Sequence, residues 1–381
     1  LEYIIQAAHS GPGRSLTPLK IFAINLGSTS TKIAYYEDET CRLKQTIAHS
    51  LEDLQHADGI FAQYGFRRRD IENFLAQHGI AVSELDAIVS RGGPTAPVEG
   101  GTYRIDEDML AEIRTGKYGI HPCSLGCQIA YDMTAGTKAA ALTVDMPGTC
   151  EFDPLAFYSG LPDVPRVPAY QALNNRAMAR AYAESIGRNY EDLNLLVVTL
   201  GGGITVTAHR KGKMVDAQNG ITGDGAFSNN RCNGVPVGPL VDLCFSGKYD
   251  HEAMIRKVNG QAGLMGYLGE MDVISIEKKA LAGDQKYTEV LEAMCYQIAK
   301  DIGAFATVLK GQVDAILLIG GMANSQYIVD LIRDRVGFLA PVAVQPGERE
   351  MESLCLNAYR GLTGRIEIKN FREGKVHVPV F

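Results

Sequence analysis

The chain has no apolar run approaching the roughly 18 residues that a membrane-crossing helix requires, and no dense basic stripe. Neither a membrane nor a nucleic acid is therefore expected as a partner. Cys-x-x-Cys pairs are missing too: Cys41, Cys123, Cys127, Cys150, Cys232, Cys244, Cys295 and Cys355 stand scattered. Cys123 and Cys127 fit one helix face, but no His or second Cys pair completes a zinc site. The expectation is reduced thiols in a cytoplasmic protein. There is no Gly-x-x-x-x-Gly-Lys phosphate loop followed by a helix. The first residues lack the basic start and long apolar core of a signal peptide. Residues 1–18, which include Ser10-Gly11-Pro12-Gly13-Arg14-Ser15, are expected as a flexible extension outside the fold.

What is present is 381 residues, 46% hydrophobic and 21% charged, with a formal net charge of −7. That is ordinary globular composition, long enough for two domains with a core each. The stretch around which the rest is organised is Asn25-Leu26-Gly27-Ser28-Thr29-Ser30-Thr31-Lys32, set between the apolar runs Leu19–Ile24 and Ile33–Tyr36. A strand leaves a buried sheet, turns at Gly27 and returns, displaying four hydroxyls and one ammonium group. Glycine permits close approach by a ligand, and turn N–H groups with Ser and Thr hydroxyls form a nest suited to phosphate. A plain hydroxyl-rich hairpin turn reads the same residues equally well.

The chain repeats the device. Asn194–Thr199 is a second apolar run, followed by Leu200-Gly201-Gly202-Gly203 and Ile204–Thr207, so that Leu26-Gly27 lines up with Leu200-Gly201 at an offset of 174 residues. A third strand, Ala315–Ile319, runs into Gly320-Gly321-Met322-Ala323-Asn324. Two strand-turn-strand loops half a chain apart and a late Gly-Gly turn suggest a duplicated domain that closes on a nucleotide.

Between these landmarks, Arg67-Arg68-Arg69 reads as the solvated start of a helix. Asp86–Ser90 reads as a buried strand ending in Arg91-Gly92-Gly93, where Arg91 is either a ligand contact at a strand end or a surface turn residue. Residues 107–120 look helical, and His121-Pro122-Cys123 opens another helix. Asp145 ends the strand Ala139–Val144 and reads as a ligand-side carboxylate or a cap. Pro147, Pro154, Pro162, Pro165 and Pro168 mark a long loop at the domain junction. Helical segments follow from about Tyr170 to Ile186 and over roughly 239–246, 251–258, 273–282, 287–309 and 325–336.

Taken together, these loops resemble the acetate/butyrate kinase group of the sugar kinase–heat-shock chaperone–actin superfamily, most closely the butyrate kinases. The resemblance runs from about Lys20 to about Gly361. It implies an α/β fold of duplicated ribonuclease-H-like (actin-type) domains, mixed sheets flanked by helices, with a nucleotide cleft between them. Residues 19–190 are then the domain carrying the acyl site, 191–365 the nucleotide domain, and 366–381 a tail. The implied reaction is reversible phosphoryl transfer between ATP and a short-chain carboxylate, giving ADP and an acyl phosphate, with Mg2+.

The same resemblance carries roles onto residues. Asn25, Gly27, Ser28, Ser30 and Lys32, with Gly201, Gly202 and Gly203, hold phosphates; Gly320, Gly321 and Asn324 pack against adenosine. Arg91 and Arg231 hold the carboxylate and phosphoryl oxygens, with His121 close by. Asp145 and Glu350 organise magnesium, Glu348 and Glu352 being the alternatives to Glu350. A homodimer or larger homo-oligomer is implied as well. The chain departs from butyrate kinases at Leu26 (usually Pro), at Gln171 and Thr199 (each usually His), and in Asn230-Arg231-Cys232-Asn233-Gly234. Gln171 donates a hydrogen bond but carries no charge, and loss of one charged donor costs about 10²–10³-fold in rate. A catalytically weakened ATP-binding sensor is therefore the alternative to a working kinase. A sugar or glycerol kinase is disfavoured, because no Asp is placed to deprotonate a hydroxyl.

Overall fold

The computed structural model describes residues 17–50, 52, 54, 59–220 and 223–378. Residues 1–16 of the expected extension and 379–381 of the expected tail lie outside them. The strands are β1 (Lys20–Leu26), β2 (Ser30–Glu37), β3 (Thr40–Ala48), β4 (Ala87–Ser90), β5 (Thr102–Arg104), β6 (Ala140–Val144), β7 (Asn194–Leu200), β8 (Ile204–Arg210), β9 (Lys213–Ala217), β10 (Ala315–Gly320), β11 (Val342–Pro346) and β12 (Ile368–Lys369). They form two mixed sheets, ordered β12-β5-β6-β4-β1-β2-β3 and β11-β10-β7-β8-β9. The second repeats the heart of the first: β7 pairs antiparallel with β8 and parallel with β10, as β1 does with β2 and β4. The fold is a mixed α/β architecture, two helix-flanked sheets built on one plan.

Strand alternation sends successive side chains of each central strand to opposite faces. On the first sheet, Phe22, Ile24 and Leu26 pack with helices Tyr64–Gln77, Glu107–Arg114 and Cys123–Thr134. Ile21 and Ala23 face Met351, Leu354, Cys355 and Ala358 of helix Glu350–Leu362. On the second sheet, Leu196, Val198 and Leu200 pack with the long helix Gln285–Val308, while Leu195 and Val197 face Met178, Ala179 and Ala183 of helix Ala172–Ser185.

This arrangement corrects the linear domain boundaries at 190 and 365. Helix Ala172–Ser185 belongs by packing to the second sheet, and helix Glu350–Leu362 to the first. Beyond it, β12 adds to the edge of the first sheet beside β5, and Phe371 is fully buried in that sheet's core. The two helices therefore exchange halves, and the segment after 365 is built into the first domain as a strand. Among the described residues, no helix is long and apolar enough to cross a membrane, and the eight cysteines are all free.

Candidate functional site

The first glycine loop is the hairpin end where Leu26 pairs with Thr31; the second is the end where Leu200 pairs with Ile204. The third corner is built by steric necessity. Gly320 has φ +90°, and a Cβ there would lie 2.5 Å from the carbonyl oxygen of Leu200, so only glycine fits. Gly320 also exchanges backbone hydrogen bonds with Gly347, at 3.2 and 3.1 Å. The chain from β11 thus passes directly over the second sheet's glycine corner before it enters helix Glu350–Leu362.

Those few crossing residues gather most of the site. Glu348 pairs with Lys32 of the first loop. The N–H of Arg349 donates to Asn174 Oδ1 at 3.0 Å. Glu350 is buried; its Oε2 accepts from Asn25 Nδ2 at 2.7 Å and lies 3.6 Å from Arg91 Nη1. Glu352 faces Arg349 on the surface. Of the three acidic residues considered at this turn, Glu350 is thus the one placed among Asn25 and Arg91. Its other oxygen, Oε1, accepts no hydrogen bond from the described residues.

His121 stands near these groups. Its Nδ1 accepts from the N–H of Cys123 at 3.2 Å, which leaves the ring proton of the neutral form on Nε2. Burial first, then the fields of Arg91 and Arg67, hold its pKa below the usual value. At pH 7 it is a neutral hydrogen-bonding group. The Cys123 thiol beside it is pushed up to about 11 by burial, a structural thiol rather than a nucleophile.

Arg231 lies against the second glycine loop: a Cβ on Gly203 would meet its Nη1 at 2.7 Å. Its Nη1 donates to the Gly220 carbonyl and its Nε to Asn259 Oδ1, at 2.5 and 3.0 Å. Half-buried, it pairs with no carboxylate among the described residues. Ser228 Oγ supports the same loop by donating to the Gly202 carbonyl at 2.8 Å. Asn324 is exposed and bonds its own turn at Gly321. Gln171 sits at the start of helix Ala172–Ser185 with its Oε1 buried and unpartnered. Thr199 is spent internally: its hydroxyl donates to Asn175 Oδ1 at 2.8 Å.

Asp145, expected to organise magnesium, is held by other groups of the protein. Its carboxylate is 1% exposed, Oδ1 accepts from the N–H of Gly101 at 2.8 Å, and Oδ2 lies 3.0 Å from Arg176 Nε. Arg176 also binds Glu151 Oε1 at 2.8 Å and the Gly212 carbonyl at 3.0 Å. With both oxygens engaged, Asp145 is a structural anchor here and not a free ligand. Among the described residues no cluster of three His, Cys, Asp or Glu could hold a metal ion. The residues present suit a magnesium ion that arrives with phosphates, and the free Oε1 of Glu350 is the carboxylate oxygen that could meet it.

Sequence reasoning misread one group and left a second without a place. Arg67 is fully buried rather than solvated; one of three consecutive arginines gives no signal of that. His209, on β8, is fully buried with Nδ1 against the Tyr190 hydroxyl at 2.8 Å. Burial, then Arg176, lowers its pKa from 6.5 to about 3. The unfolded chain binds this proton first, so the associated stability is present above pH 6.5 and is lost as pH falls toward 3. The loss amounts to about 2 kcal/mol by pH 5, at about 1.4 kcal/mol per pKa unit. Denaturant unfolding at pH 7 and pH 5 should show His209→Gln losing that much less stability than the parent. Equal losses would remove His209 as a source of acid sensitivity.

The glycine loops of the two sheets thus meet a largely acidic crossing segment, Glu348-Arg349-Glu350. The particular likeness is to the acetate and propionate kinases. Residues 174–350 match the acetokinase family. The acetate kinase of Porphyromonas gingivalis superposes with a TM-score of 0.74 at 17% identity, covering 91% of this chain and 99% of that one. The propionate kinase of Francisella tularensis gives 0.67 at 16% identity over 89% and 98%. The acetate kinase of Entamoeba histolytica gives 0.69 at 16% identity over 88% and 97%.

Proposed function

We propose that this protein is a short-chain acyl kinase, transferring the terminal phosphoryl group of ATP reversibly to a small carboxylate such as butyrate or a branched analogue. The observation that carries the reading is the convergence of Asn25, Arg91 and Glu350, from the first loop, the end of β4 and the crossing helix. The acetokinase match over residues 174–350 supports it.

A carboxylate is already anionic at neutral pH, so the acceptor needs no general base. What remains is alignment and neutralisation of charge on the transferring group. Arg91 and Arg231, one from each half, hold the acceptor carboxylate and the equatorial phosphoryl oxygens. Neutral His121 adds a hydrogen bond from Nε2. Lys32 and the first-loop hydroxyls hold nucleotide phosphates. Magnesium bound with the nucleotide would supply charge neutralisation, and Glu350 is the residue that would hold it.

The test is acyl phosphate trapped by hydroxylamine from pure protein, MgATP and acetate, propionate, butyrate, isobutyrate or longer acids in turn. Turnover is expected with one of them, and Arg231→Ala should lower it about 10²–10³-fold. Absence of turnover with every acid, alongside intact ATP binding, would overturn the kinase reading.

A further inference from the structure

The most unusual charge in the first half is one the mechanism does not use. Arg67, on helix Tyr64–Gln77, is the largest of the fully buried side chains and has 0% exposure. It forms an ion pair with no described carboxylate; its nearest acidic influence is Asp70, and burial lowers its pKa overall. An arginine left in that position needs polar partners on most of its N–H groups.

Those partners are the backside of the first loop. Arg67 Nη2 donates to the Ser28 carbonyl at 3.3 Å. Nη1 donates to the Ser30 carbonyl at 3.4 Å and to Thr31 Oγ1 at 3.3 Å. Nε is fixed by Gln63 Oε1 at 2.9 Å. The intervening carbonyl, that of Thr29, accepts from the N–H of His49 at 2.9 Å, and Ser30 O also accepts from the N–H of Gly27 at 2.8 Å. Three successive carbonyls are therefore drawn inward, toward the protein.

A trans peptide sets C=O and N–H on opposite sides. Drawing the carbonyls of Ser28 and Thr29 inward turns the N–H groups of Thr29 and Ser30 outward. Neither the N–H of Thr29 nor that of Ser28 donates to a described carbonyl in the loop and turn hydrogen bonds. His49 Nε2 lies 2.8 Å from Thr31 Oγ1 and Nδ1 3.6 Å from Asp70 Oδ2, which braces the guanidinium's hydroxyl partner from the far side. We infer that Arg67 is the positioning residue of a phosphate-binding loop: it sets the loop's N–H groups toward an anion and places a positive charge beneath them. This rests on the nucleotide reading of the first loop.

The test is calorimetric titration of the whole chain with MgATP and, separately, with adenosine, which carries no phosphate. Arg67→Met should weaken MgATP about 10–100-fold, the effect of losing charge-assisted hydrogen bonds. Adenosine binding should change less than about twofold, since its corner at Gly320 is on the other sheet. Arg67→Lys keeps the charge but not the two-carbonyl fork, so it should fall between the parent and Arg67→Met. It also carries the test if the methionine variant fails to fold. Parallel loss of adenosine and MgATP would show a merely structural role and overturn the inference, as would unchanged MgATP affinity in both variants. A parent chain that does not bind MgATP would overturn the nucleotide reading and the inference with it.

Discussion

Arg91→Ala is expected to lower turnover about 10²–10³-fold while leaving the fold intact. Arg91 lies at the end of β4, a quarter exposed, and its one close ion-pair partner among the described residues is Glu350 at 3.6 Å. That distance is long for a committed ion pair, so the guanidinium is held in place without being consumed. It is the state expected of a cation that exchanges a protein carboxylate for a substrate carboxylate or phosphoryl oxygen. The stability cost should be small, because a partly exposed pair contributes about 0–1 kcal/mol. Arg91→Lys should recover little: a compact ammonium does not span two oxygens as the planar fork does. Steady-state kinetics read the result. A variant with kcat within threefold of the parent would remove Arg91 from the reaction.

The second large effect concerns stability. Arg176→Met should destabilise the protein by about 3–5 kcal/mol, because it strands buried carboxylates without a counter-charge. Asp145 and Glu151 both rest on this guanidinium, and the Gly212 carbonyl loses a donor as well. Burial already pushes the Asp145 carboxyl upward, with Arg176 the main opposing influence. Removing Arg176 raises it further. A carboxyl with a raised folded pKa is stabilising below its unfolded value of 3.8 and loses that contribution as pH rises. The deficit of Arg176→Met should therefore be larger at pH 8 than at pH 5.5, and Asp145→Asn in the same chain should restore part of it. A deficit independent of pH would show that lost packing, not stranded charge, is the cause.

Much of the architecture was legible because it is local. β1, β7 and β10 are apolar runs that end in glycines, and burial on both faces demands that composition. Helices His251–Val258 and Gln326–Val336 fall where apolar spacing puts them. Asn25, Arg91 and Glu350 entered as candidates through the family resemblance, each on a different stretch of the chain. What spacing does not carry is which residues meet across hundreds of positions. Arg67 looked like its solvated neighbours because nothing in a triplet of arginines tells which one points inward. Asp145 read as a ligand because a strand-end carboxylate looks the same whether it faces solvent or an arginine from the next domain. The exchange of helices was hidden for the same reason, since packing partners are set by the tertiary fold and not by order along the chain.

That exchange has a consequence for how the gene can be cut. A fragment ending near 190 keeps the first sheet but loses helix Glu350–Leu362, β12 and Phe371, so one apolar face and one edge of the sheet stand open. The complementary fragment loses helix Ala172–Ser185 and bares Leu195 and Val197. Neither piece is a self-sufficient module, and each carries the cover the other needs. The two halves share one plan but not separate cores, so either half alone would expose an apolar sheet rather than stand as a smaller folded unit.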